Sequence, residues 1–349
     1  MNDCPWYPEI IVLGPGGMKG FLELGFLIKL FSIGFLKKVD TYVGCSVGSL
    51  ISLLLVAGFS PTEIVTDAVD TDFFKDITEI RLVDIKDNTG LISNHRIKDK
   101  LSARLEEKFG IVPTLNQLYL ATGLKYVSVS YNLTHQRVEY LDYETEPHLS
   151  AVDAALLSMN IPFLFYKLKY RACTYIDGAF GNPYPIDICD NGQVDILGIS
   201  ISSQSVLIDE DNPLIYLYRI IHSSMSEIKA RIIKNCSTRC KHVELKSTTI
   251  DLTGLSYRNT EKSQMLIHGY NEASKFIDNL SHPLSVTDDI DETPFCIDEN
   301  PDQMTGALES VTIESSADAW LVGPSSDNVI YLPMTDKNRE TLKRFSNSQ

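Results

Sequence analysis

The five residues Gly44-Cys45-Ser46-Val47-Gly48 restrict the folds open to this chain more than any other stretch. An apolar run, Val39 to Val43, leads into them, and a second, Leu50 to Val56, follows. The first run reads as a buried strand and the second as the start of a helix. Between them the backbone has to turn sharply, with a serine at the apex. A glycine on either side gives the chain room to bend and leaves space for a ligand to approach the hydroxyl. A purely structural turn would use the same residues, so Ser46 is at this point a candidate nucleophile only.

The neighbouring pattern sets the fold class. Glu9 to Leu13 is a short apolar run ending in Gly14-Pro15-Gly16-Gly17, which reads as a buried strand feeding a loop. Leu24, Leu27, Leu30 and Phe31 then recur at helical spacing, with Gly34 near the stop. Two apolar strands joined through a helix imply parallel pairing and a right-handed crossover. Ser60-Pro61-Thr62-Glu63 and Thr114-Leu115-Asn116-Gln117 are capping boxes, and Asn94 is expected to cap a helix that Gly110 ends. Lys125 to Tyr131 and Arg137 to Leu141 alternate like adjacent strands. Leu149 to Met159 reads as helix, Ala172 to Ile176 as a strand delivering Asp177, and Val194 to Ser202 as a further buried strand. Leu214 to Lys234 and Glu261 to Leu280 read as long helices. The sum is an α/β domain over residues 8–283, with a mostly parallel central sheet and helices on both faces. Residues 284–349 are expected to form an acidic, largely flexible tail, with one hairpin where Trp320 to Val322 and Val329 to Leu332 flank a Gly-Pro turn.

Charge narrows the partners. The net charge is −15, yet the stretch between Lys275 and Lys337 has no Lys or Arg and holds 13 acidic residues; without them the remainder carries −2. A near-neutral body argues against nucleic acid as partner, because phosphate binding needs a basic surface. The tail reads as a solvated appendage or a segment for a protein partner. A calcium loop counted from Asp289 fails because Pro294 stands where glycine is required. Seven cysteines show no disulfide framework, which points to a reducing, cytoplasmic compartment. Cys236 and Cys240 lack a second pair and make a poor zinc site, so no metal or cofactor is expected. The first residues lack the basic start and apolar core of a signal peptide. Leu50 to Phe59 is too short to span a bilayer, and Glu23, Lys29 and glycines interrupt Phe21 to Leu36. Any membrane contact is therefore expected to be peripheral.

Two further features bear on the serine. Gly14 to Gly20 fails the dinucleotide fingerprint, because Lys19 stands where a third glycine is needed, and it fails the P-loop pattern too. It remains either a tight turn or a cradle of backbone N–H groups for an oxyanion. Asp177-Gly178 follows an apolar strand, and strand ends are where ligand sites gather in such sheets. An aspartate is a weak base unless an apolar pocket raises its pKa. None of the seven histidines sits in a loop with the look of a triad member, although triad partners are distant in sequence and a histidine-dependent site stays open.

Together, Pro15-Gly16-Gly17-Met18-Lys19-Gly20, Gly44 to Gly48 and Asp177-Gly178-Ala179 resemble the patatin-like phospholipases. That family carries a G-G-G-x-R/K-G loop, a G-x-S-x-G elbow and a D-G-G/A motif in this order. Ser158 to Phe163, Gly90 to Ile92 and Asn182-Pro185-Ile186 are similar to its connecting segments. The resemblance implies a three-layer patatin-like fold and a lipid acyl hydrolase acting on phospholipids or other glycerolipids. It implies Ser46 as nucleophile, Asp177 as base, and Gly16, Gly17 and Met18 as oxyanion donors, with no histidine. Pro15 replaces the first loop glycine and has no N–H to donate. A transacylase on the same dyad, or a lipid-binding module without turnover, are the alternatives. Phe59, Phe73 and Phe74 could line an acyl channel or belong to the core.

Overall fold

The computed structural model describes residues 6–70, 90–203, 213–247, 257–281, 312–316, 319–323 and 330–333. Phe73, Phe74, His282, the Asp289 loop and the rest of residues 284–311 lie outside this description. The chain divides into two compact units, Met1–Ala273 and Ser274–Gln349.

The first unit is built on an eight-stranded sheet. Its strands are β1 (Ile10–Leu13), β2 (Thr41–Cys45), β4 (Lys125–Asn132), β5 (Arg137–Leu141), β7 (Leu168–Tyr170), β8 (Cys173–Asp177), β9 (Ile196–Ser203) and β10 (Cys240–Ser247). β3 (Gly90–Ile92) and β6 (Phe163–Phe165) form a separate parallel pair. The run β10-β9-β1-β2-β4 is parallel throughout. β8 and β5 both pair antiparallel with β4, and β7 pairs antiparallel with β8. The helices are α1 (Gly20–Ser32), α2 (Val47–Val56), α3 (Pro61–Asp70), α4 (His95–Phe109), α5 (Leu115–Thr122), α6 (Ala151–Ser158), α7 (Pro213–Asn235) and α8 (Asn259–Ser281). Short apolar strands make up the centre because they are covered on both faces: Ile11, Val12, Leu13 and Val43 are fully buried. In the second unit β11 (Thr312–Ser316), β12 (Ala319–Gly323) and β13 (Ile330–Pro333) form an antiparallel sheet, so the expected hairpin is present with a third strand on its edge.

The register around β4 brings two distant segments together. β5 is opposite Ser128 and Val129, which also pair with β2, and opposite Ser130 to Asn132, which also pair with β8. A strand has two edges, so β2 and β8 must share the edge that β5 leaves open. They meet end to end. β2 stops with Cys45 opposite Val129, and β8, running the other way, stops with Asp177 opposite Ser130.

Local signals account for most helix ends. Ser60 and Glu63 form their box, with Ser60 N donating to Glu63 Oε2 at 2.8 Å and Glu63 N to Ser60 Oγ at 3.2 Å. Thr114 and Gln117 form the second, and Gly110 ends α4 in the left-handed region at φ 74°. Two expectations change. Asn94 stands at the N-cap position just before α4, but its side chain makes no cap bond; its amide instead donates to Asn160 Oδ1 at 3.4 Å. Phe31 has the spacing of the buried α1 stripe but is 53% exposed, because it falls in the last turn of the helix. The strand β10 is not assigned from the sequence; its apolar or small residues are only Cys240, Val243, Leu245 and Ser247, and the intervening Lys241, His242, Glu244 and Lys246 break any apolar run.

Candidate active site

Ser46 lies one residue past the end of β2 and immediately before α2. Its backbone is at φ 56°, ψ −127°, a conformation that is strained for any residue with a side chain and persists only where the surroundings impose it. The surroundings do so. A side chain at Gly48 would come within 2.4 Å of Leu13 O and 2.6 Å of Gly14 O, so only glycine lets α2 begin this close to the loop after β1. Beneath the turn, Ser49 Oγ bonds Tyr126 Oη at 2.7 Å and Ser128 Oγ at 2.8 Å, and Ser128 Oγ donates to Ala154 O at 2.7 Å. This buried hydroxyl chain ties α2 to β4 and α6.

Ser158, at the end of α6, completes the support. Ser46 N donates to Ser158 Oγ at 2.9 Å, and Ser158 Oγ donates onward to Val129 O at 2.6 Å. The serine amide is therefore fixed to the strand between the two meeting ends. The sequence marked Ser158 only as part of a familiar segment; its position 112 residues from Ser46 hid this role.

Asp177 is 3% exposed, and the Ser46 side chain lies close enough to it to favour the charged carboxylate. Its Oδ1 accepts from Ala179 N at 2.9 Å, and its own N–H donates to Asn160 O at 2.9 Å. A side chain at Gly178 would sit 2.1 Å from Val129 O, so the Asp-Gly pair is what lets the chain leave β8 beside Ser46. Burial raises the Asp177 pKa from 3.8 to about 6, although Ser46 and the Ala179 N–H oppose the shift. Cys45, also fully buried, has its thiol pushed well up, first by burial and then by the charge of Asp177, so it is an inert neighbour.

The glycine loop forms a short 3-10 turn, Gly17–Lys19, that runs into α1. Gly17 is at φ 56°, where glycine carries no steric penalty. The amides of Lys19 and Gly20 turn inward to Gly16 O and to Gly17 O and Met18 O. Those of Gly16, Gly17 and Met18 have no acceptor among the described residues. Free N–H groups at the start of a helix attract negative charge.

Glu23, in the first turn of α1, is fully buried and was not singled out as a site residue from sequence. Its carboxyl approaches the Gly14 backbone without a well-aligned hydrogen bond, and burial pushes its pKa well above the carboxylate range. It is therefore held as the neutral acid directly beneath the loop.

Among the described residues no histidine ring bonds Ser46 or Asp177. His242 Nδ1 is 3.1 Å from Tyr184 Oη, and His135 Nδ1 is 3.4 Å from Asn132 Nδ2. Phe59, one of the acyl-channel candidates, is 7% exposed with the Arg104 and Lys108 cations over its ring, as a core-edge residue.

The chain is similar to known proteins in sequence and in fold. Over 191 residues the chain is 32% identical to a probable lipid hydrolase, 463L, of Invertebrate iridescent virus 6, covering 53% of this chain and 64% of that protein. It is 23% identical over 199 residues to the uncharacterized protein R571 of Acanthamoeba polyphaga mimivirus, covering 56% and 66%. The chain thus matches just under two thirds of the length of these curated relatives. The fold is that of VipD from Legionella pneumophila, with a TM-score of 0.50 at 16% identity over 79% of this chain and 67% of that one. The family model for patatin-like phospholipases matches residues 11–190, from β1 past the Asp-Gly motif. With that match over more than half of its length, and with loop, elbow and aspartate in that order along the sequence, the chain belongs to the patatin-like phospholipase family.

Proposed function

We propose that this protein is a lipid acyl hydrolase that cleaves fatty acyl esters of phospholipids or other glycerolipids. The observation that carries the reading is the Ser46 hydroxyl, presented on a strained turn where the end of β2 meets the end of β8 and its buried Asp177 carboxyl. Ser46 Oγ attacks the ester carbonyl, and Asp177 takes its proton. The amides of Gly16, Gly17 and Met18 receive the charge that develops on the carbonyl oxygen. Asp177 returns the proton to the departing alcohol, leaving an acyl-enzyme. Water that gives its proton to Asp177 then attacks the acyl carbonyl, and as the fatty acid leaves Asp177 passes that proton to Ser46 Oγ, restoring the free serine. An alcohol in place of that water would make the same machinery a transacylase.

A base with a pKa near 6 is ionised at neutral pH yet strong enough to assist a hydroxyl. Residues 8–283 hold every group in this scheme, and residues 284–349 are an appendage to it. Contact with lipid is peripheral, since no helix among the described residues is long and apolar enough to cross a membrane.

The test is fatty-acid release from phosphatidylcholine and diacylglycerol vesicles by the full chain, by Ser46→Ala, and by a chain lacking residues 284–349. A fluorophosphonate probe is applied in parallel and its attachment mapped. We expect release and labelling at Ser46, neither in the alanine variant, and both in the shortened chain. Release that survives in Ser46→Ala, or lipid binding with no release by any form, would refute the assignment. Adding glycerol as acceptor separates hydrolysis from transfer.

A further inference from the structure

We propose that Asp190, Cys236 and Cys240 form a binding site for one divalent, thiophilic metal ion of the zinc class. The sequence argued against zinc because the cysteine pair has no second pair nearby. The fold supplies the missing ligand from a different segment: the two thiol sulfurs and an Asp190 carboxylate oxygen all lie within 4.8 Å of one another. A tetrahedral zinc with Zn–S bonds of about 2.3 Å holds its sulfurs roughly 3.8 Å apart, so closure needs movements of no more than about 1 Å.

The carboxylate is already fixed in place. Ser237 N donates to Asp190 Oδ2 at 2.6 Å, Ser237 Oγ to Oδ1 at 2.6 Å, and Gly192 N to Oδ1 at 3.0 Å. A carboxylate has about four lone-pair positions, so one remains for a metal. The Cys236 thiol donates only to Ile232 O at 3.3 Å, a weak bond that the ion would replace. Cys240 is buried, while Asp190 and Cys236 are half-buried, and both line a cleft of about 270 Å³ with Asp187 and Arg231. The cleft leaves the fourth coordination position to water. Two sulfur ligands with one carboxylate favour zinc over calcium or magnesium, which take oxygen donors.

The site lies away from the chemistry. Cys240 begins β10 opposite Ile196, which is level with Ile10 and Thr41 at the starts of their strands. Ser46 follows the far end of β2, about 16 Å along the strand direction at ~3.3 Å per residue. The ion would clamp the end of α7, the start of β10 and the loop after Ile186, and so act as a structural fastener of the sheet edge.

The experiment uses the full chain, stripped with chelator under reductant and titrated with Co²⁺. We expect one Co²⁺ per chain, with near-ultraviolet thiolate charge-transfer absorption and the visible bands of a tetrahedral ion. Free thiols are protonated at neutral pH, so about two protons leave per ion bound, one from each sulfur. Zn²⁺ should displace Co²⁺ and raise the melting temperature. Asp190→Asn should weaken Co²⁺ at least about tenfold, and Cys236→Ser with Cys240→Ser about a hundredfold or more. Circular dichroism reports whether each variant is folded. If the double variant is not, the half-exposed Cys236→Ser alone carries the test. Binding without thiolate absorption, affinity unchanged by these substitutions, or a Cys236–Cys240 disulfide in protein purified without oxygen would overturn the proposal.

Discussion

Replacing Asp177 with asparagine should inactivate the enzyme and, at neutral pH, stabilise it. The wild-type carboxyl titrates near pH 6 in the fold and near 3.8 in the unfolded chain. Its folded pKa is the higher one, so its favourable contribution is complete below about pH 4 and is lost as pH rises through 6. At 1.36 kcal/mol per unit, the ionised group costs the fold about 3 kcal/mol at pH 8. Asparagine has no such titration. The amide N–H groups of the variant bring a pH-independent penalty of their own, but it cancels when the stability difference at pH 8 is compared with that at pH 3.5. Every other titrating group is common to both proteins and cancels too. Guanidinium unfolding at the two pH values should therefore show Asp177→Asn gaining about 3 kcal/mol on the parent between them. Turnover should fall by roughly 10² to 10⁴-fold, the range for loss of a general base, and the parent's activity should rise with pH through about 6. A stability difference that does not change with pH would mean that Asp177 is not a desolvated carboxylate, and the argument for it as base would fail.

Two further outcomes can be checked. Ser158→Ala removes the acceptor of the Ser46 N–H and the side-chain bond to Val129 O, so it should cost about 1–3 kcal/mol and lower kcat while KM stays the same; an unchanged kcat would show that the serine turn does not need this support. Glu23 loses its favourable contribution as pH rises from the ordinary carboxylate range through its elevated pKa, so Glu23→Gln should flatten the decline of melting temperature with rising pH; parallel curves for the two proteins would refute its burial as a neutral acid.

The local features were legible because each depends on a few adjacent residues. Gly44 to Gly48 fixes a sharp turn wherever it occurs between strand and helix, and the boxes at Ser60 and Thr114 form from four consecutive residues. Phe31 and Asn94 departed from expectation because exposure and side-chain partners are set by what packs against an element. Strand β10 was hidden because an edge strand with one half-open face tolerates Lys241, Glu244 and Lys246.

By itself the sequence determined the candidate side chains and the local turns that could present them: a serine at a strand-to-helix turn, a glycine loop open to either a tight turn or an anion cradle, and an aspartate at a strand end. The tertiary structure decided where they meet. β8 runs antiparallel into the edge of β4 that β2 vacates at Val129, and this alone sets Asp177 against Ser46. It also decided the chemistry of the pair, since the shift of the carboxyl to about 6 comes from burial among residues drawn from distant parts of the chain. The same holds for Asp190 beside Cys236 and Cys240. Strand register and desolvation are properties of the packed sheet, and no short stretch of residues encodes them.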